Sequence, residues 1–220
     1  MGMDMDMGGG RGGGMDFTEI SCGVYRRKGA AKLATIGTAG EYRTWDPHHS
    51  KLAALILTGY LPPIEDTSLV LYLGAAAGST ASHVSDIAHR GLVYALDFAP
   101  GEMKKLILAC EERSNAIPIF ADANHPERYA PLVDEVDVIY QDIAQRNQAE
   151  IALKNVECFL TEGGYLILMI KARSIDSIAD TRATFEKEVE KLREGVSVLK
   201  TVKLPQYRDH LAVIARRCGD

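Results

Sequence analysis

Positive charge is in short supply in this chain: 25 Lys and Arg against 30 Asp and Glu leave a formal net charge of −5 over 220 residues. Capture of nucleic acid by the overall field is thereby excluded, and any RNA contact has to come from a local basic patch or be shared with a partner. Cysteine is scarce too. Cys22, Cys110, Cys158 and Cys218 stand far apart with no C-x-x-C pair, so neither a zinc ligand set nor a disulfide framework is indicated, and a reduced, cytoplasmic setting is expected. No apolar run approaches the roughly 18–20 residues that span a bilayer. The opening Met-Gly-Met-Asp-Met-Asp-Met lacks the apolar core of a signal peptide, so no membrane association is expected. With 46% hydrophobic residues the chain can bury one good core, which predicts one main domain with a small appendage.

Residues 1–16 are rich in Gly and Met and are predicted to be a disordered leader. The run Gly8–Gly14, interrupted by Arg11, reads either as one unit of a Gly-Arg-rich tail or as an incidental low-complexity stretch. Residues 17–50 predict a small N-terminal β module, with short strands at Val24-Tyr25, Leu33–Ile36 and Glu41–Trp45. Arg26, Arg27, Lys28 and Lys32 cluster there and read as a solvated hairpin turn. Ser50 is a candidate N-cap for a helix reaching about Tyr60. From residue 69 onward strands and helices alternate. Strands are predicted at 69–73, 92–97, 117–121, 136–141, 165–171, 196–203 and 210–216, and helices at 79–89, 100–113, 145–160 and 174–193, with a helical turn in 126–133. Alternation of this kind implies a parallel sheet with helices on both faces. The last two strands are too close for a helical crossover and must pair as a hairpin. The predicted fold is therefore α/β: a seven-stranded sheet with its last strand antiparallel, over 51–220, which resembles the layout of class I (Rossmann-like) methyltransferases.

The turn after the first of these strands reads Leu73-Gly-Ala-Ala-Ala-Gly-Ser-Thr80, and a second apolar strand ends in Asp97, twenty-three residues after Gly74. Small residues let the backbone approach a ligand, and the acid at the second strand tip can accept hydrogen bonds from both hydroxyls of a ribose. Ala76 stands where a dinucleotide fingerprint has Gly, and no Lys lies where a phosphate would sit. That favours a ligand with a ribose and no phosphate, S-adenosylmethionine, over a nicotinamide dinucleotide. In open α/β sheets ligands sit outside the carboxyl ends of the strands. Asp97, Asp122, Asp142 and Lys171 occupy four such ends, and His210 opens the last strand on the same edge.

Five blocks then carry a family resemblance: Tyr42–Ala54, Tyr72–Asp86, Tyr140–Gln145, Ile170–Asp176 and Tyr207–His210. In order and spacing, over roughly residues 22–216, they resemble fibrillarin in its short archaeal form, the RNA 2′-O-methyltransferase of box C/D guide ribonucleoproteins. The resemblance implies a catalytic set of Lys51, Asp142, Lys171 and His210. It also implies methyl-donor contacts at Gly74, Ala76, Gly78, Ser79, Thr80, Asp97, Phe98, Asp122 and Ala123, and along Asp142, Ile143, Ala144 and Gln145. Two positions depart from the family pattern: Ser79 replaces a Thr and keeps the hydroxyl, and Asp97 replaces a Glu and keeps the carboxylate.

A ribose 2′-hydroxyl is a poor nucleophile that must lose its proton as it attacks. Lys171 can stabilise the developing alkoxide or act as base, Asp142 is the rival base, and His210 can relay the proton or orient the ribose. Lys51 is expected to order its neighbours or touch phosphate. No metal-ligand cluster is present, so transfer is expected to be metal-independent. The implied partners are a box C/D guide RNA with its rRNA or tRNA target, a Nop5-type scaffold and, through the complex, the kink-turn protein L7Ae. A stand-alone RNA or small-molecule O-methyltransferase of the same fold, and a non-catalytic RNA-binding subunit, remain the competing readings.

Overall fold

The computed structural model describes residues 17–219, so the disorder expected for 1–16 lies outside the described residues. A four-stranded antiparallel sheet comes first, with β1 Phe17–Ser21, β2 Val24–Arg27, β3 Leu33–Ile36 and β4 Tyr42–Trp45 in sequential order. Of the basic cluster expected on a solvated hairpin turn, Lys28 and Lys32 are exposed in the β2–β3 connection, whereas Arg26 and Arg27 end strand β2 and Arg26 is half-buried. Helix α1, Lys51–Leu57, follows; Ser50 caps it by accepting the Ala53 N–H at 3.3 Å.

The second sheet contains β5 Leu69–Leu73, β6 Leu92–Asp97, β7 Ala116–Phe120, β8 Val136–Gln141, β9 Leu160–Lys171, β10 Ser197–Lys203 and β11 His210–Arg216, in the order β10-β11-β9-β8-β5-β6-β7. The pairings from β9 across to β7 are parallel, and β11 runs antiparallel to both β9 and β10. This is the class I methyltransferase layout expected from the strand pattern. Central strands such as β5, Leu-Val-Leu-Tyr-Leu, are apolar throughout because helices cover both faces. Pro118 has no N–H to give a second neighbour, and β7 is an edge strand accordingly. The crossover helices are α2 Ser79–Ile87, α3 Pro100–Glu111, α4 Gln148–Phe159 and α6 Thr181–Leu192, with a short turn of helix, α5, at Ala172–Ile175.

Three predicted elements need correction. The helix expected over 174–193 is two helices. Asp176 accepts the N–H groups of Ile178 and Ala179 at 2.8 and 2.9 Å, and Asp180 caps α6 by accepting the Ala183 N–H at 2.9 Å. Backbone donors are thus diverted to side chains between α5 and α6. The helix expected from 145 starts at Gln148, because the Gln145 and Asn147 side chains are engaged with Asp122 and Asn124. The strand expected from 165 starts at Leu160, with its register to β8 shifted across a bulge that holds Gly163 at φ +71°.

The two sheets share one hydrophobic cluster in which Val24, Leu33 and Trp45 join Leu52, Val70, Tyr72 and Val84. Beside it lies a buried ionic cluster. Asp86 accepts from Arg43, from Arg113 at 2.6 Å and from the Thr35 hydroxyl at 2.5 Å. Since the single Thr35 proton goes to Asp86, His83 Nδ1, 2.8 Å from Thr35 Oγ1, must be the donor there. Burial first, then the two arginines, depress His83 to about 3, so the ring is neutral and stacks on Trp45. Asp86→Ala leaves two guanidinium groups without their carboxylate and should cost about 3–5 kcal/mol, read as a lowered midpoint in urea unfolding. An unchanged midpoint would show that the cluster contributes nothing to stability.

Candidate active site

The strand order reverses between β5 and β8, and the site opens at the carboxyl ends of these two strands. The turn from Gly74 to Gly78 makes its floor. Gly74 sits at φ +83°, and a Cβ there would lie 2.5 Å from the Asp142 carbonyl oxygen, so only Gly allows the two strand ends to approach. Gly78 precedes α2 at φ +85°, where a Cβ would come within 2.9 Å of Leu106 and Ala109. The cleft above this turn has a volume of about 310 Å³. Of the residues expected from sequence, it gathers Lys51, Gly74, Ala76, Ser79, Thr80, Asp142, Ile143, Ala144 and Lys171. His49, Tyr72 and Glu102 line it as well. None of the three was among the expected site residues: His49 and Tyr72 fall within the blocks that carry the family resemblance, Tyr72 reads as core of an apolar strand, and Glu102 as an ordinary first-turn acid.

The remaining donor-site candidates lie along the neighbouring strand tips. Asp97 ends β6 almost buried, with one carboxylate oxygen accepting the Ala76 N–H and the other the Ala99 N–H, each at 2.8 Å. Ala76 holds φ +47°, unusual for a residue with a side chain, and the bond to Asp97 anchors it there. Asp97 therefore shapes the turn as well as standing at the strand tip. Phe98 beside it is 56% exposed, an open aromatic face. Asp122 accepts from the Asn124 backbone and amide and from Gln145. Burial alone would raise its carboxyl, but these donors outweigh that and hold it below the ordinary range. Ala123 has its side chain in the core and its carbonyl accepting from the Asn155 amide at 2.9 Å.

The four candidate catalytic residues come from four elements. Lys51 opens α1 and places its ammonium 2.8 Å from both oxygens of Asp142, at the end of β8. Ordering of a neighbour, one of the two roles expected for Lys51, is what this geometry supplies. Thr80 fixes α1 against α2 by donating to Ser50 at 2.9 Å. Lys171 ends β9 and pairs in register with His210, the first residue of β11. The buried Gln148 side chain clamps the Lys171 backbone, accepting its N–H at 2.9 Å and donating to its carbonyl at 3.2 Å. Tyr207 completes the group. Its ring lies 5.5 Å from the Lys51 ammonium and 5.5 Å, edge-on, from the His210 ring.

Burial raises the Asp142 carboxyl, while Lys51 and then Lys171 pull it back. Burial also lowers His210, to about 4, with Lys51 and Lys171 adding to the shift. Both His210 ring nitrogens are out of contact with water and without a hydrogen-bond partner among the described residues. Tyr207 is pushed up to about 12 by burial, with Asp142 and Asp46 contributing. The unfolded imidazole takes a proton near 6.5 and the folded one only near 4. The stabilisation His210 provides is therefore complete above the unfolded value and is lost as pH falls toward the folded one. NMR titration of the ring should give a midpoint far below the ordinary histidine range; a midpoint within that range would mean that His210 is not buried beside two lysines.

The described fold matches known proteins over most of its length. The family model described as Fibrillarin matches residues 21–218. A fibrillarin-like rRNA/tRNA 2′-O-methyltransferase of Methanosarcina mazei is 51% identical over 181 residues, 80% of each chain. The fibrillarin of a fibrillarin/Nop5p complex superposes with a TM-score of 0.86 at 40% identity, covering 91% of this chain and 100% of that one. Aeropyrum pernix fibrillarin, solved with natively bound S-adenosyl-L-methionine, superposes with a TM-score of 0.79 at 38% identity, covering 87% of this chain and 92% of that one. With Lys51, Asp142, Lys171 and His210 gathered at one sheet edge and this extent of likeness, the chain belongs to the fibrillarin family.

Proposed function

We propose that the protein transfers the methyl group of S-adenosylmethionine to ribose 2′-hydroxyls of rRNA and tRNA, as the catalytic subunit of a guide-directed box C/D ribonucleoprotein. The observation that carries this reading is the Lys51–Asp142 ion pair over the Gly74–Thr80 turn, in one cleft with Lys171, whose register partner is His210. The donor site fits S-adenosylmethionine. The turn carries only small side chains and no cation that would pair with phosphate, Asp97 stands at the ribose end, Phe98 offers an aromatic face, and Asp142 is an anion near a sulfonium. When bound, the donor supplies a methyl group made electrophilic by its positive sulfur.

The chain's own residues then divide the work. Asp142, raised by burial, is a stronger base than an ordinary carboxylate and takes the proton of the 2′-hydroxyl. Lys171 places positive charge where the alkoxide develops, and Gln148 fixes the backbone from which it projects. Lys51 keeps Asp142 oriented. His210, neutral and with no hydrogen-bond partner among the described residues, turns a ring nitrogen to the ribose when the acceptor enters. Much of the acceleration comes from holding donor and acceptor in line. A net charge of −5 makes the isolated protein a poor RNA binder, so the acceptor is delivered by a guide RNA and a Nop5-type scaffold, with L7Ae on the guide.

Methyl transfer from labelled donor to a guide-matched RNA, with and without the scaffold, tests this. Transfer should require guide and scaffold and should not depend on magnesium. Site-specific methylation of a bare strand by the protein alone would replace the reading with a stand-alone RNA methyltransferase. Asp142→Ala and Lys171→Ala should each lower transfer by roughly 10²–10⁴-fold; normal turnover in Lys171→Ala would make its charge structural. Lys51→Met removes the cation that holds Asp142 down, so the acid limb of the pH–rate profile should move to higher pH. An unmoved limb would take Asp142 out of the proton transfer. Asp97→Ala should weaken donor binding in calorimetry, both by losing the ribose acceptor and by freeing Ala76; unaltered affinity would exclude it from the site.

A further inference from the structure

Two cavities flank the catalytic group. Lys51, Asp142 and Lys171 line the cleft over the glycine turn, while His210 lines a separate groove of about 440 Å³ between the start of α6 and the β10–β11 connection. The two meet at the register pair of Lys171 with His210. An in-line displacement brings the incoming oxygen to the face of the methyl group opposite the sulfur. With the donor over Gly74–Thr80, the acceptor strand has to approach from the other side, where the groove lies.

The groove's composition suits that occupant. Buried Leu204 and half-buried Phe185 form an apolar floor, and the exposed Pro205, Lys203 and Arg208 stand on its rim. Neither cation is paired with a carboxylate among the described residues. A third cation, Arg182, is held by Glu186 at 2.9 Å; the one acid among the lining residues, Asp180, is turned into its own helix, accepting the Ala183 N–H, and Asp209 follows Arg208 in the chain. In a chain of net charge −5, two unpaired cations beside the catalytic edge form the local basic patch that an RNA contact requires. We propose that this groove carries the sugar–phosphate backbone flanking the reacting ribose, with Lys203 and Arg208 on phosphates and the apolar floor against sugar carbons. The proposal rests on the RNA methyltransferase reading above and adds the path of the acceptor strand.

The test compares the wild-type protein, assembled with scaffold and guide RNA, with the Lys203→Ala/Arg208→Ala variant in the same assembly. Methyl transfer is measured against target RNA concentration between about 50 and 200 mM salt. The variant should raise the KM for target RNA about tenfold and reduce the salt slope by about two, one for each phosphate left without its cation. Its kcat at saturating RNA and its donor affinity by calorimetry should not change. Unchanged KM and salt slope in an active assembly would overturn the groove assignment and leave the proposed function intact. Weakened scaffold binding with a normal KM would also overturn it, by giving the groove to a protein partner. A fall in donor affinity would overturn it by assigning the two cations to the donor side. If the wild-type assembly transfers no methyl group to guide-matched RNA, the functional reading itself fails, and the groove proposal fails with it.

Discussion

The approach of the Gly74 backbone to the carbonyl of Asp142 governs the rest of this molecule, because it brings the ends of β5 and β8 together where the strand order reverses. A methyl group at position 74 would meet that carbonyl at 2.5 Å, and the turn would have to lift away from the sheet. With the turn seated, Ala76 reaches Asp97, Thr80 reaches Ser50, and the Lys51 ammonium arrives at Asp142 from across the cleft. Each of these contacts joins a different element to the same floor, so a small displacement of the turn would be felt at all of them.

The placement of charge follows the same economy. The site holds Asp142 between Lys51 and Lys171, where burial raises the carboxyl and the two cations limit the rise. Those cations, with burial, also keep His210 neutral. A neutral ring can accept or donate one hydrogen bond without adding a third positive charge to the pocket. A second ionic cluster is centred on Asp86 of α2, the helix that leads away from the glycine turn, and ties it to Thr35 and Arg43 of the N-terminal sheet and to Arg113 after α3. Its role is to fix that helix, and its histidine is too strongly depressed to respond to physiological pH.

The strand-and-helix alternation, the antiparallel final strand, the cap at Ser50 and the cluster of polar strand ends could all be read from local pattern. Periodicity, Gly turns and short connections are properties of neighbouring residues. Less of the helical detail was readable. The break between α5 and α6 depends on two aspartates bonding backbone N–H groups, and the late start of α4 depends on Gln145 and Asn147 meeting Asp122 and Asn124 from another strand end. Residues of this type are ordinary helix members unless such partners are present.

The sequence by itself determined the sheet, the bare glycine turn and the identity of the four residues that resemblance marks as catalytic. Those features follow from local hydrophobic spacing and from motifs continuous along the chain. Only the tertiary structure decided that Lys51 pairs with both oxygens of Asp142, that Gln148 clamps Lys171, that Asp97 supports Ala76, and that Tyr207 lies between Lys51 and His210. Lys51 and Asp142 are ninety-one positions apart along the chain. Their 2.8 Å contact is made by helix-to-sheet packing and a crossover of strand order, neither of which leaves a mark in the residues on either side.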